Sequence, residues 1–212
     1  MTIPAFLRAK PAAARPSTAA GGGGPAPRRK LLALGMTCQQ ADFWCWVAVT
    51  QTVERYAGNA LPQTGIATDH IANSQPGVSC TIGSAADATD RCGTNCSGAC
   101  NSPHLLSVVL TERGRFIAAN NVNPSFSDLS DLLDANTPVP VRIDWGNGGH
   151  FICVVGYADD GRGGEFVDVL DPMVPGINGG PASPRQIPFA SFVSSYTLNG
   201  STGTPNFYYE VQ

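Results

Sequence analysis

Cys45 is the residue whose surroundings most clearly indicate chemistry. A cysteine attacks as its thiolate, and a helix N-terminus with a nearby imidazolium favours that form. We predict a helix with Asp42 as its N-cap and Gly58 as its stop, so that Cys45 lies in the first turn. The residues of this segment that recur at helical spacing are Cys45, Ala48, Val49, Thr52, Val53 and Tyr56.

Two further side chains could assist a thiolate at Cys45. Gln39 lies six residues earlier, and its amide could stabilise the oxyanion that forms on attack, together with the Cys45 backbone N–H. His150 opens an apolar β run after a Gly-rich turn, and we predict that it is the base. The other two histidines, His70 and His104, lack this context and are expected to be structural or solvated.

An acid that orients the imidazole is predicted at the end of the strand that follows His150. Asp171 is preferred, because strand alternation and the following Pro172 place it at a strand end. Asp168 on the same strand is the main competitor, and Asn178 is a weaker one. The predicted catalytic residues are thus Cys45, His150, Asp171 and Gln39.

Three blocks of the sequence resemble papain-like cysteine proteases and occur in the expected order. They are Gln39 six residues before a helix-opening Cys-Trp, residues 145–157 around the histidine, and residues 167–172 with their terminal Asp-Pro. A narrower resemblance is to a small bacterial group that includes plant-pathogen avirulence effector proteases, whose Cys-rich loop ends in Cys-Asn, as Cys100-Asn101 does here. The resemblance covers residues 37–211.

The resemblance implies a thiol endopeptidase. His150, oriented by Asp171, would deprotonate Cys45, which attacks a peptide carbonyl, and water would hydrolyse the acyl-enzyme. A transpeptidase or amidase that passes the acyl group to an amine would use the same residues and stays an alternative. A second alternative is a non-enzymatic binding protein with a degenerate peptidase fold. We expect a protein or peptide substrate and no cofactor or metal.

The seven cysteines of the chain are not spread evenly. The segment 59–101 holds four of them: Cys80, Cys92, Cys96 and Cys100. Their spacing differs from that of common zinc modules, so we favour disulfides over zinc or free thiols, without a choice among the pairings. Cys153 alternates within an apolar strand and is expected to be inert, while Cys38 has no evident partner.

The order of helical and strand patterns predicts an α+β fold, with a helical N-terminal half and an antiparallel C-terminal sheet. Residues 1–30 are rich in Ala, Pro and Gly and are predicted to be a flexible tail, so that residues 31–212 form one peptidase domain. A second helix is predicted from Ser102-Pro103 to Gly114 and a third over residues 128–135, with loop over 59–101. Predicted strands cover residues 140–145, 151–157, 165–170 and 206–211.

Charge and hydropathy exclude several other classes of protein. The formal net charge is only −3, so there is no strong electrostatic footprint for nucleic acid or an anionic membrane. No apolar run reaches the roughly 18 residues of a membrane helix, and the N-terminus lacks the apolar stretch of a signal peptide. We expect a monomer that contacts neither nucleic acid nor membrane. The compartment stays open between the cytoplasm and non-classical secretion.

Overall fold

The structure, a computed structural model, describes residues 26–78, 100–174, 176 and 181–212. Within these residues the chain forms an α+β domain of five helices and eight strands. The helices are α1 (Cys45–Tyr56), α2 (Gln63–Ser74), α3 (Leu106–Glu112), α4 (Phe126–Asp134) and α5 (Phe189–Ser195). The strands are β1 (Arg28–Leu31), β2 (Phe116–Asn120), β3 (Val139–Asp144), β4 (Gly149–Asp159), β5 (Glu165–Leu170), β6 (Arg185–Pro188), β7 (Tyr196–Leu198) and β8 (Ser201–Val211). Most of the predicted tail, Cys80, Cys92, Cys96 and Asn178 lie outside the described residues.

The eight strands form one sheet with antiparallel pairing throughout, in the main order β2-β8-β3-β4-β5-β6. β4 lies near its centre. β3 pairs with the first half of β4 and β1 with the second half, while β5 pairs along the opposite edge. From Cys153 onward β4 is paired on both edges, while its first residues, His150 among them, are paired with β3 alone.

Helix α1 runs through the core. Its residues from Trp46 to Glu54 are all buried, so the polar side chains among them need internal partners. The hydroxyls of Thr50 and Thr52 donate to backbone oxygens one turn earlier, at 2.7 and 3.0 Å. The Glu54 carboxylate accepts from the Arg115 guanidinium at 3.2 Å. These bonds hold α1 in one position, packed against β4.

The predicted helix at Cys45 is confirmed, but its predicted N-cap is wrong. Cys45 is the first residue of α1 and Trp44 is the N-cap. Gly58 stands just beyond the end of the helix with φ +84°, as expected of a stop. Asp42 lies in a turn that precedes the helix, in which Trp44 N donates to Ala41 O at 3.1 Å. This turn displaces Asp42 from the end of the helix.

The segment 59–101 was predicted to be loop, and α2 corrects this over its first part. The helix buries Ile66, Ala67 and Ile71 at helical spacing. Gly65 and a mostly polar composition weaken the pattern in the sequence, because glycine is a poor helix former and the apolar face is narrow. Tertiary packing therefore supplies what local preference does not.

The second and third predicted helices exist with shifted starts. α3 begins at Leu106 after an extended residue without a side-chain cap, so the predicted start at Ser102-Pro103 is wrong. Gly114 follows its end with φ +68°. α4 begins two residues before the predicted range, at a capping box in which Ser125 Oγ accepts from Asp128 N at 3.1 Å and the Asp128 carboxylate accepts from Ser125 N at 3.0 Å.

All four predicted strands are confirmed, with β8 five residues longer at its start than expected. The sheet also contains β1, β2, β6 and β7, which the sequence did not reveal. The separation into a helical first half and a β second half therefore holds only in outline, because β1 precedes every described helix and α4 and α5 lie among the later strands.

Three residues of the predicted tail belong to the sheet, in β1. Arg28 donates to Asp134 at 2.6 Å and to the Tyr157 hydroxyl at 3.0 Å. Lys30 donates to Asn136 at 2.6 Å. A basic, Pro-flanked segment has a low strand propensity, but here β4 offers an unpaired edge, and Asp134 at the end of α4 and Asn136 just beyond it accept from its charged side chains.

The described residues also bear on three expectations, for Cys38, for Cys153 and for membrane-spanning helices. Cys38 and Cys100 are disulfide-bonded, so Cys38 is not without a partner, whereas Cys45 and Cys153 are free thiols. Cys153 is fully buried, and burial raises the pKa of its thiol to about 12, which fits an inert role. None of the helices in the described residues is long and apolar enough to cross a bilayer.

Candidate active site

Cys45 lies at the N-terminus of α1 and is partly exposed, although both of its neighbours are fully buried. Trp44 Nε1 donates to Cys100 O at 2.7 Å, and Trp46 Nε1 donates to Ser102 O at 3.0 Å. The segment 100–102 thus fixes the chain on both sides of Cys45. Backbone N–H groups without intrahelical acceptors favour negative charge at such a position, so the geometry suits a thiolate.

His150 is the second residue of β4 and is 2 % exposed. The Trp145 ring stacks on its imidazole with 5.0 Å between ring centroids and an interplanar angle of 13°. Trp145 is itself backed by Gly203 on β8, where any side chain would collide with the indole. The imidazole is therefore confined on one face by an aromatic wall.

Asp171 follows β5 directly and is 4 % exposed. Its Oδ1 accepts from His150 Nε2 at 2.9 Å and from the Met173 backbone N–H at 2.8 Å. Its Oδ2 accepts from the Tyr196 hydroxyl at 2.5 Å. Burial would raise the pKa of Asp171, but the hydrogen bond and charge of His150, with the two other donors, hold it below its usual value. Asp171 is therefore a carboxylate.

The pKa of His150 depends on both Asp171 and Cys45. Burial would lower the pKa of His150, but hydrogen bonds to the Asp171 and Cys45 side chains, with the charges of both, raise it to about 9. Because Asp171 occupies Nε2, Nδ1 is the ring nitrogen that remains for the sulfur. The imidazole lies between a carboxylate and a thiol, and its cationic form is favoured at neutral pH.

Gln39 is buried beside these residues, and its backbone N donates to Pro172 O at 2.9 Å. Its Nε2 donates to Ala41 O at 3.0 Å and to Asp42 O at 2.7 Å, while its Oε1 has no partner in the described part of the chain. Gln39 thus ties the turn before Cys45 to the segment that carries the acid. Both amide hydrogens are engaged with carbonyls, so its predicted role as an oxyanion donor stays a prediction.

The structure separates the two competing aspartates. Asp168 lies on β5 opposite Gly156 and Gln186, and its Oδ1 accepts from Gln186 Nε2 at 3.4 Å. Burial raises the pKa of Asp168. It is Asp171 that contacts His150. The third candidate, Asn178, lies outside the described residues.

A second histidine cluster lies behind α1. The His70 ring is bonded on one side to Glu112 at 2.8 Å and on the other to His104 at 2.9 Å, and His104 Nε2 contacts Ser102 Oγ at 2.9 Å. The Trp46 ring meets both imidazoles edge-on, with centroids 5.1 and 5.0 Å away. His70 is 3 % exposed. The structural interpretation of these two histidines therefore fits better than the solvated one.

Tyr196 is the contact of the site that sequence reasoning missed. It begins β7, a three-residue strand after a short helix, and neither element has a clear sequence signal. Its distance from Asp171 along the chain is 25 residues. The described residues contain no group of three or more His, Cys, Asp or Glu side chains arranged to hold a metal ion.

An α+β domain that brings a partly exposed thiol at a helix start to a buried imidazole and carboxylate has the features of a thiol hydrolase. Comparison with known families places it more closely. Residues 35–203 match the Peptidase_C39 like family, and because the match spans most of the chain, the protein belongs to this family of papain-like cysteine peptidases. No curated protein matches the sequence. The family match does not extend to avirulence effector proteases, so that narrower resemblance stays a prediction.

Proposed function

We propose that the protein hydrolyses peptide bonds in protein or peptide substrates through Cys45, His150 and Asp171. The observation that carries the proposal is the 2.9 Å hydrogen bond between the buried Asp171 carboxylate and the His150 imidazole, whose pKa the thiol at the start of α1 also raises. Family membership supports the same reaction class.

In the first half of the reaction, the Cys45 thiolate attacks the carbonyl carbon of a peptide bond and a C–S bond forms. The carbonyl oxygen becomes an oxyanion, which the Cys45 backbone N–H stabilises at the helix N-terminus. The C–N bond then breaks as the His150 imidazolium gives its proton to the departing amine nitrogen. A thioester and a neutral imidazole remain.

In the second half, neutral His150 takes a proton from a water molecule, whose oxygen attacks the thioester carbonyl. The C–S bond breaks, the carboxylic acid product leaves, and the thiolate and imidazolium are restored. Asp171 keeps its charge throughout, because its pKa is held below the usual value, and it orients the ring through Nε2.

Gln39 is proposed as the second oxyanion donor. Its Nε2 would have to leave Ala41 O or Asp42 O as the negative charge develops, which is favourable because an oxyanion is a stronger acceptor than a peptide carbonyl. Gln39→Ala is expected to lower kcat by roughly 10²-fold with little change in KM. Equal losses in binding and turnover would instead favour a purely structural role in the turn before Cys45.

The decisive test is covalent labelling of Cys45 by an epoxide inhibitor of thiol proteases, with intact-mass and peptide-mass detection. The wild-type protein should bind one inhibitor at Cys45, and Cys45→Ala should bind none at that position and lose peptide cleavage. Cys153→Ala is the matched control, because it removes the other free thiol of the described residues, which is fully buried. Full labelling of the Cys45→Ala protein would refute the assignment.

Product analysis separates the alternatives that share the acyl-enzyme. With a peptide substrate and an added primary amine, a hydrolase releases the free acid, whereas a transpeptidase or amidase gives the amide as the main product. A wild-type protein that neither cleaves peptides nor reacts at Cys45 would favour the binding-protein alternative.

A further inference from the structure

The contacts of Tyr196 connect it with the candidate site. Its hydroxyl donates to Oδ2 of Asp171, the oxygen that His150 does not use. The Tyr196 ring is fully buried, with the Phe192 ring meeting it edge-on at a centroid distance of 6.1 Å and the Arg185 guanidinium 5.5 Å over its face. The hydroxyl is therefore held in one position and cannot turn to water.

The strand pair that carries Tyr196 supports the imidazole from two sides. Tyr196 on β7 stands opposite Gly203 on β8. Gly203 backs the Trp145 indole, which stacks on His150, and Tyr196 holds Asp171, which bonds His150 at Nε2. One rung of the β7–β8 pair thus supports both the face of the ring and its hydrogen-bond acceptor.

We propose that Tyr196 is a positioning residue of the thiol site: its hydroxyl fixes the plane of the Asp171 carboxylate and shares its negative charge, and so limits how strongly Asp171 holds the His150 imidazolium. Three donors reach the carboxylate, and two of them, His150 Nε2 and Met173 N, share Oδ1. Tyr196 is the donor to Oδ2. Without it, a buried anionic oxygen loses its partner and the charge available to His150 increases.

The hydroxyl keeps its proton over the working range of pH. Burial, followed by the charge of Asp171 and the hydrogen bond to it, raises the pKa of Tyr196 well above its usual value. Tyr196 therefore acts as a donor throughout and exchanges no proton with substrate. The consequence for turnover rests on the proposed peptidase function, because an imidazolium that is held too tightly is a poorer acid for the departing amine.

The test follows the titration of His150 directly by NMR of the full chain with 15N-labelled histidine. The chain has three histidines, so a His150→Gln protein assigns the signal. In the wild type the titration midpoint should lie at about 9. In Tyr196→Phe it should move up by roughly half a pH unit, because the carboxylate loses a donor while the ring keeps its shape.

Incorporation of 3-fluorotyrosine at position 196 should shift the His150 titration midpoint in the opposite direction. The fluorinated phenol is a stronger donor with nearly the same volume, so the His150 midpoint should move down. Both shifts should vanish in an Asp171→Asn background. Tyr208→Phe, which alters a buried tyrosine of β8 opposite Asn120 and Val141, should leave the midpoint unchanged.

The outcomes distinguish this inference from the proposed function. Opposite shifts of the His150 midpoint, with a roughly tenfold lower kcat and a similar KM in Tyr196→Phe, establish the positioning role. Unchanged midpoints, or shifts that persist in Asp171→Asn, overturn it even if peptides are cleaved. If Tyr196→Phe does not fold, the fluorotyrosine arm decides. Opposite shifts without any peptide cleavage would refute the proposed function and leave the role of Tyr196 intact.

Discussion

Two chains of interacting side chains, each with a carboxylate next to an imidazole, contact the first turn of α1, and they have similar parts. In one, Asp171 contacts His150, which reaches the thiol of Cys45. In the other, whose members are Glu112, His70, His104 and Ser102, a carboxylate contacts one imidazole, which contacts a second imidazole and then a hydroxyl. A carboxylate next to an imidazole is therefore not by itself a sign of catalysis.

The two chains differ in the residue farthest from the carboxylate, which is Cys45 in the first chain and Ser102 in the second. Cys45 is partly exposed at a helix N-terminus, where backbone N–H groups can stabilise both a thiolate and an oxyanion. Ser102 precedes α3 by several residues and its carbonyl accepts from Trp46, so it has no such helix end. The second chain instead packs against the Trp46 ring and supports the first turn of α1 from behind.

The charges of the two chains differ as well. Asp171 and Cys45 raise the pKa of His150 to about 9, so this ring is cationic at neutral pH. The pKa of His104 is lowered, first by burial and then by the charge of His70, against a smaller opposite effect of Glu112. His150 thus carries a proton at neutral pH, as the proposed general acid must, while His104 stays neutral.

The largest expected effect is on catalysis. His150→Gln should lower kcat/KM by roughly 10⁴-fold, because it removes the base and acid of the reaction. His104→Gln is the matched control in the second chain and should retain activity within a few-fold per folded molecule. The measurement is peptide cleavage at pH 7, normalised to the folded fraction by circular dichroism. Equal losses of activity in both variants would contradict the proposal that only the first chain takes part in the reaction.

The next largest difference is expected when the carboxylate of each chain is replaced by an amide. Asp171→Asn is expected to lower kcat by roughly 10²-fold, because the orientation and charge of the imidazole depend on it. Glu112→Gln should leave kcat nearly unchanged and lower the denaturation midpoint. Steady-state kinetics and urea unfolding of both proteins provide the comparison. A large kcat loss in Glu112→Gln would show that the second chain acts on the reaction.

The second chain should matter most for stability. His70→Ala is expected to lower the free energy of unfolding by about 3 kcal/mol, because it leaves a cavity and deprives Glu112 and His104 of a buried partner. Urea unfolding followed by tryptophan fluorescence measures this, since Trp46 touches the ring. A change below about 0.5 kcal/mol, the range of ordinary surface substitutions, would contradict the packing role.

The smallest and most specific effects are in pH dependence, and they have opposite signs. His150 has a folded pKa above its unfolded value, so its contribution to stability is present below pH 6.5 and is lost as pH rises through about 9. Peptidase activity should fall over the same alkaline range, because the imidazolium loses its proton. Activity that stays constant to pH 10 would contradict the proposed acid.

His104 has a folded pKa below its unfolded value, so it destabilises the fold when pH falls below about 6.5. His104→Gln should therefore flatten the acid side of the curve of unfolding free energy against pH and leave the alkaline side unchanged. His150→Gln should flatten the alkaline side, and it should also change the acid limb because His150 lowers the pKa of Asp171. Urea unfolding at a series of pH values tests both, and identical curves for the two variants would contradict the assignment.

Much of the architecture was readable in the sequence, and the errors have physical causes. α1, α4 and the strands β3, β4, β5 and β8 have clear apolar periodicity or a capping motif. α2 was missed because Gly65 and its polar residues weaken the helical signal, and β1 because basic residues beside a Pro-rich segment do not look like a strand. Both elements owe their conformation to neighbours that lie far away along the chain.

Residue types and spacing, together with the resemblance to papain-like proteases, pointed to Cys45, His150, Asp171 and Gln39, because a nucleophile at a helix start, a histidine at a strand start and an acid at a strand end are local patterns. Only the tertiary structure showed which side chains contact one another. His150 contacts Asp171 rather than Asp168, and Tyr196 contacts Asp171 as well. The Gln39 amide donates to two carbonyls, and the rings of His70 and His104 both contact Trp46. Such contacts join residues far apart along the chain, and their distances depend on how helices and strands pack, which no local pattern contains.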